Sequence, residues 1–162
     1  MHDERQDVAA VIPAFNEANT IGHIIPILKT SGFFSEVIVV DDGSTDETMN
    51  VAKKAGAQVI QLKKNGGKGS AMRAGVEAAH APIIFFCDAD VLGLTREHLR
   101  HLITPVQTRE LAMCVGIRDR GWIGTWLARH LPLIGGERVL RREIFSSIPV
   151  SYLRGFRAEL AM

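Results

Sequence analysis

Between Val8 and Gly116 the chain alternates two patterns: short runs of mostly apolar residues, and longer stretches with apolar residues three or four apart. The runs are Val8-Ala9-Ala10-Val11-Ile12-Pro13, Glu36-Val37-Ile38-Val39-Val40, Val59-Ile60-Gln61-Leu62, Ile83 to Cys87, and Leu111 to Gly116. A strand that is apolar on both sides has both faces covered, the condition of a parallel sheet with helices above and below. The stretches between supply those helices. Glu17 to Leu28 places Ile21, Ile24, Ile25 and Leu28 on one stripe, and Pro26 is expected to kink that helix or end it early. Ser44-Thr45-Asp46-Glu47 reads as a capping box opening a helix that runs through Ala55 and stops at Gly56. Gly69 to Ala79 gives a third helix, and Thr95 N-caps a fourth that runs to Ile103, ahead of Pro105. The expectation is an α/β fold: a mostly parallel sheet with helices on both faces.

A length of 162 residues suits one domain with one sizeable core. Nineteen basic side chains against 18 acidic ones leave no nucleic-acid footprint. The longest apolar stretches are strand-length, short of the roughly 20 residues that a spanning helix needs. Met1 to Asp7 is polar and acidic, the opposite of a secretory signal. Cys87 and Cys114 lie in apolar runs without metal-site or C-x-x-C spacing, and read as buried reduced thiols. A cytoplasmic chain follows, with membrane contact at most peripheral and no nucleic-acid partner.

In an open parallel sheet, ligands bind at the carboxyl ends of the strands, where the strand order reverses. Four consecutive strands here end in chemically distinctive residues: Pro13-Ala14-Phe15-Asn16-Glu17, Asp41-Asp42-Gly43-Ser44, Lys64-Asn65-Gly66-Gly67-Lys68-Gly69 and Asp88-Ala89-Asp90. Residues i and i+2 of an extended backbone share a face. If the chain stays extended past Cys87, Asp88 and Asp90 converge on one hard cation with room for a phosphate. Asp42 is placed to accept the imide N–H of a pyrimidine, while Pro13 and Phe15 shape the base pocket. Glu17 is placed to bond a base or a ribose hydroxyl; its plainer alternative is a first-turn carboxylate drawn by the helix dipole. Asp41 is expected to brace its turn by accepting backbone N–H groups.

Gly66-Gly67-Lys68-Gly69 at a helix start suits a phosphate, with Lys68 as the countercharge. It is neither a P-loop, since no Ser or Thr follows the lysine, nor a dinucleotide fingerprint, since it does not follow the first strand. The missing fingerprint also argues against a nucleotidyltransferase. His98 and His101, three residues apart, fall on a solvated helix face.

As a set, Pro13-x-Phe15-Asn16-Glu17, Val40-Asp41-Asp42-Gly43-Ser44-Thr45-Asp46, Gly67-Lys68-Gly69 and Asp88-Ala89-Asp90 resemble the family 2 glycosyltransferases across residues 8 to 118. The resemblance implies a GT-A (Rossmann-like) fold, a nucleotide-sugar donor, and Mg²⁺ or Mn²⁺ bridging the donor's diphosphate. It puts Asp42 at the base-reading position and Asp90 at the metal-ligand position. Asp88 assists there or sits nearer the ribose or sugar. Pro13, Ala14, Phe15, Glu17, Lys68, Ala89 and Arg118 complete the donor site it implies.

Gly135-Gly136-Glu137 through Glu143 is similar to the acceptor-side segment of the same enzymes. Glucosyl-3-phosphoglycerate synthases share the Gly-Gly-Glu run and a later Gly-x-x-x-Glu, here Gly155 to Glu159. Glu137 and Glu159 are thereby candidates for acceptor contact or catalytic base, against a structural salt bridge. Residues 1–118 form the donor half of a single domain. Residues 119–162 form an acceptor-side segment that stops at Met162 inside a helical pattern, as in a truncated chain. Within it Trp122, Ile123, Trp126 and Leu127 make an apolar stripe: a mobile flap, a lipid-touching surface or ordinary packing. The expected activity moves a sugar from UDP-glucose, or alternatively GDP-mannose, to an acceptor. That acceptor is phosphoglycerate-like, a saccharide or a polyprenyl phosphate. A non-catalytic nucleotide-sugar-binding remnant is the alternative. Family 2 implies inversion and the synthase-like tail implies retention, so the stereochemistry stays open.

Overall fold

The computed structural model describes residues 7–116 and 137–149. One sheet holds β1 (Val8–Ala14), β2 (Glu36–Asp41), β3 (Gln58–Gln61), β4 (Ile83–Phe86), β5 (Met113–Val115) and β6 (Arg138–Arg141), in the order β3-β2-β1-β4-β6-β5. β1 runs parallel to both β2 and β4, and β2 parallel to β3. β6 is antiparallel between β4 and β5. The helices are α1 (Ile21–Thr30), α2 (Thr48–Lys54), α3 (Lys68–Ala78), α4 (Arg96–Gln107) and α5 (Arg142–Ser146). No helix among the described residues is long and apolar enough to cross a membrane.

The apolar runs are explained by two cores. Val8, Ala10 and Ile12 of β1 pack on one face with Ile21, Ile25 and Leu28 of α1 and with Leu99, Ile103 and Val106 of α4. Ala9 and Val11 face the other way, with Ala71, Met72 and Val76 of α3 and Phe145 of α5. Period-two alternation therefore exists in space but is invisible in the sequence, because both faces are covered. Gly75 lets α3 lie close on the sheet: a Cβ there would stand 2.3 Å from Val11 Cγ1.

Several boundaries differ from the sequence expectations, each for a local reason. α1 starts at Ile21, because the Glu17 carbonyl closes a turn by accepting from the N–H groups of Thr20 and Ile21. It then runs through Pro26 to Thr30. Pro26 lies on the exposed side, and the buried stripe of Ile21, Ile24, Ile25 and Leu28 outweighs one missing hydrogen bond. The capping box does not form, since Ser44 Oγ is taken by the Asn16 N–H; α2 opens at Thr48, whose N–H donates to Asp46 Oδ1.

Thr95 does cap α4, accepting from the His98 N–H, but that helix continues through Pro105 to Gln107, which keeps Val106 buried. β5 shrinks to three residues. Arg138–Arg141 was not expected as a strand: its two apolar residues, Val139 and Leu140, are too few to read as a run, and only pairing with β4 and β5 orders it.

Candidate functional site

The chain steps outward from β1 to β2 to β3, and α3 then returns it across β1 to β4. The order thus reverses between β1 and β4, which opens a crevice at the carboxyl ends of these strands. All four strand-end motifs meet at that edge and are bonded to one another.

The loop after β1 is held by the loop after β2. Asn16 sits in the left-handed region with φ 56°, which asparagine tolerates better than most residues. Its N–H donates to Ser44 Oγ at 2.9 Å, and its Oδ1 accepts from the Thr45 N–H at 2.9 Å. The Glu17 N–H donates to Thr48 Oγ1 at 2.7 Å, and the Ala18 N–H to Asp46 Oδ2 at 3.1 Å. The Thr48 hydroxyl donates to Asp46, and this bond foremost holds the carboxyl of Asp46 below its ordinary 3.8. The Glu17 carboxylate accepts from Thr20 Oγ1 of its own turn at 2.7 Å. Pro13 and Ala14 lie within β1 itself, and Phe15 beyond them is exposed.

The second junction is carried by two buried aspartates. Asp41 Oδ1 accepts from the Ser44 N–H at 3.0 Å, the turn-bracing role expected of it. Asp42, 3% exposed, accepts from the Gly66 N–H with one oxygen and from the Gly67 N–H with the other, both at 2.8 Å. A carboxylate offers about four acceptor sites, so two bonds to the glycine loop leave capacity for a base. Gly43, which follows Asp42, has φ 76°, and a Cβ there would stand 2.9 Å from the Asn65 nitrogen. Both facts require glycine.

Lys68 is the first residue of α3. Its Nζ lies 2.7 Å from Asp88 Oδ1, with the two side chains 32% and 24% exposed. The Asp88-Ala89-Asp90 segment is not extended: the Val91 N–H points back to the Asp88 carbonyl at 3.4 Å, making a turn. The two carboxylates therefore do not share a strand face as expected but flank a turn in which Ala89 packs inward, Asp88 is half-buried and Asp90 is exposed. Among the described residues no group of three or more His, Cys, Asp or Glu gathers to hold a metal ion unaided. Two carboxylates at a solvent-facing turn fit a cation that keeps waters and takes its other ligands from a substrate diphosphate, as Mg²⁺ does.

In the segment expected to face an acceptor, Glu137 immediately precedes β6, is 6% exposed, and its carbonyl accepts from the Gly116 N–H at 2.8 Å. It lines a cavity of about 670 Å³ with Val91, Leu94, Leu102, Cys114 and Val115. His98 and His101 are exposed, as expected, and border the same cavity. Cys87 and Cys114 are not joined in a disulfide; Cys87 is buried as expected, whereas Cys114 is only part-buried, and that burial still pushes its thiol up. Arg118, Glu159 and the apolar stripe of Trp122, Ile123, Trp126 and Leu127 lie outside the described residues. The sequence reading missed the clamp of Asn16, Ser44, Thr45 and Thr48. The signal was in the Ser-Thr-Asp run, but it was spent on a capping box.

Comparison with known proteins accords with this geometry. The family described as Glycosyl transferase family 2 matches residues 9–161. The glucosyl-3-phosphoglycerate synthase of Mycolicibacterium smegmatis is 34% identical, over 96% of this chain and 62% of that protein. The dodecaprenyl-phosphate galacturonate synthase of Rhizobium johnstonii is 29% identical, over 78% of this chain and 40% of that one. Among solved structures, glucosyl-3-phosphoglycerate synthase from Mycobacterium tuberculosis, in complex with Mn²⁺, UDP-glucose and phosphoglyceric acid, superposes with a TM-score of 0.78. It is 27% identical, over 96% of this chain and 63% of that one. The sheet is accordingly a GT-A, Rossmann-like one. The chain spans about half the length of the curated relatives it matches. With the family matched over residues 9–161, the chain belongs to glycosyl transferase family 2.

Proposed function

We propose that this chain carries the donor site of a metal-dependent glycosyltransferase that moves glucose from UDP-glucose to a small anionic acceptor of the phosphoglycerate class. The observation that carries the reading is the bonded edge of the sheet, where Asp42 holds Gly66 and Gly67 while Lys68 meets Asp88. Four motifs from separate strand ends are joined where an open sheet binds ligands. Asp42 reads the imide N–H of uracil, with Pro13, Ala14 and Phe15 forming the wall. Glu17 serves the base or ribose.

Asp90, with Asp88, holds Mg²⁺ or Mn²⁺, which when bound would stabilise the departing nucleoside diphosphate. Lys68 and Arg118 add positive charge to that same leaving group. Glu137, buried beside the acceptor-side cavity, contacts the acceptor, and Glu159 is the second candidate for that role or for the base. Residues 1–118 act as the donor half and 119–162 as the acceptor side. The phosphoglycerate class is favoured over a polyprenyl phosphate because similarity to the synthase spans 96% of the chain, against 78% for the dodecaprenyl-phosphate enzyme.

Calorimetry with UDP-glucose and GDP-mannose, in Mn²⁺ and in EDTA, tests the donor and the cation together. UDP-glucose binding should require Mn²⁺, and Asp90→Asn should abolish the metal-dependent part with the melting temperature little changed, since an isosteric amide fills the same exposed position. Equal UDP-glucose affinity in Mn²⁺ and EDTA would remove the metal from the mechanism. Tighter GDP-mannose binding would reassign the base pocket.

A further inference from the structure

We propose that Lys68 and the divalent cation compete for Asp88, so that loading the cation transfers Lys68 from Asp88 to the donor's diphosphate. The inference rests on the reading of Asp88 and Asp90 as the cation-holding turn and adds a coupling that this reading does not contain. Lys68 was expected to serve phosphate, yet its Nζ lies 2.7 Å from Asp88 Oδ1. Its backbone cannot retreat. Lys68 opens α3, and the preceding Gly67 N–H is held by Asp42 at 2.8 Å. Only the four-carbon stem can swing, and a compact ammonium on a flexible stem suits such a move.

The pair is partly shielded from water, with side chains 32% and 24% exposed, so its charges are not fully screened. A cation arriving alone must take an oxygen already engaged by an ammonium and then stand beside that positive charge. Once a diphosphate is present, the ammonium has a new anionic partner and both obstacles fall. By linkage, the cation and the diphosphate then strengthen each other's binding by the same factor. Asp88 is thus a positioning residue for Lys68 as well as a cation ligand, and in the donor-free site the Lys68 ammonium offsets one of the turn's two carboxylate charges.

The test titrates Mn²⁺ against the full chain without nucleotide and reads free Mn²⁺ by electron paramagnetic resonance, so no turnover is involved. Lys68→Met should bind Mn²⁺ about three- to five-fold tighter than the wild type, the size that a partly exposed ion pair carries. Lys68→Arg, which keeps the pair, should stay at the wild-type value. In an Asp88→Asn background, Lys68→Met should add nothing, since the contested oxygen charge is gone. A Lys68→Met variant no tighter than the wild type overturns the proposal. The same gain persisting in Asp88→Asn also overturns it, because general repulsion would then suffice. If no form binds Mn²⁺ even with UDP, the cation reading itself falls, and that outcome is distinguishable from the other two.

Discussion

Replacing Asp42 by alanine should damage stability and base recognition together, because one carboxylate serves both. Its two oxygens accept from the N–H groups of Gly66 and Gly67 at 2.8 Å each, at a site 3% exposed. A hydrogen bond to a charged group contributes about 1.5–3 kcal/mol net. The full loss of two is not expected. The Gly67 N–H keeps a second acceptor in Asn65 Oδ1 at 3.1 Å, and Gly66 is exposed, so water reaches its N–H. We therefore expect about 2–3 kcal/mol of destabilisation. For a domain of this size that lowers the melting temperature by about 5–10 °C.

Asp42→Asn should fall between the two, since its amide oxygen can accept one N–H while its NH₂ meets the other. Thermal melts followed by circular dichroism, paired with calorimetric titration of uridine, measure both effects. Uridine binding should weaken by about 1–3 kcal/mol in Asp42→Ala, as for a polar partner left unpaired. An unchanged melting temperature would show that Asp42 does not hold the glycine loop. A lowered one with normal uridine affinity would make Asp42 purely structural, and the base would be read elsewhere.

Gly75→Ala should lower stability by about 1–3 kcal/mol despite alanine's better helix propensity, because its Cβ would sit 2.3 Å from Val11 Cγ1; a raised melting temperature would contradict the packing argument. Asp46 sets an acid limit on the clamp between the first two loops. Its folded pKa lies below the ordinary 3.8, with the Thr48 hydroxyl as the first cause. Its contribution is therefore complete above that ordinary value and is lost as pH falls through the lower folded value. A titration by nuclear magnetic resonance should show the amides of Ala18 and Thr48 shifting with the Asp46 carboxyl, and an Asp46 midpoint at or above 3.8 would contradict this.

Much of the architecture was legible in one dimension because it rests on local composition. Unbroken apolar runs such as Val37-Ile38-Val39-Val40 can be buried on both faces only in a helix-covered sheet, and Thr95 announces its helix by its own side chain. Polar residues at the strand ends, from Asn16 to Asp88 and Asp90, likewise marked the ligand edge, because a parallel sheet brings its carboxyl ends together. Tertiary structure decided what depends on partners distant in sequence. β6 exists only through pairing with β4 and β5, since Val139 and Leu140 are too few to order a strand alone. Ser44 gave up a helix cap because the Asn16 N–H, 28 residues earlier, reached its oxygen first. Lys68 faces Asp88 rather than open solvent because α3 starts where Asp42 pins the glycine loop. Sequence spacing encodes which face a residue shares with its near neighbours. It does not encode which of several competing acceptors a donor will meet once the chain has crossed the sheet.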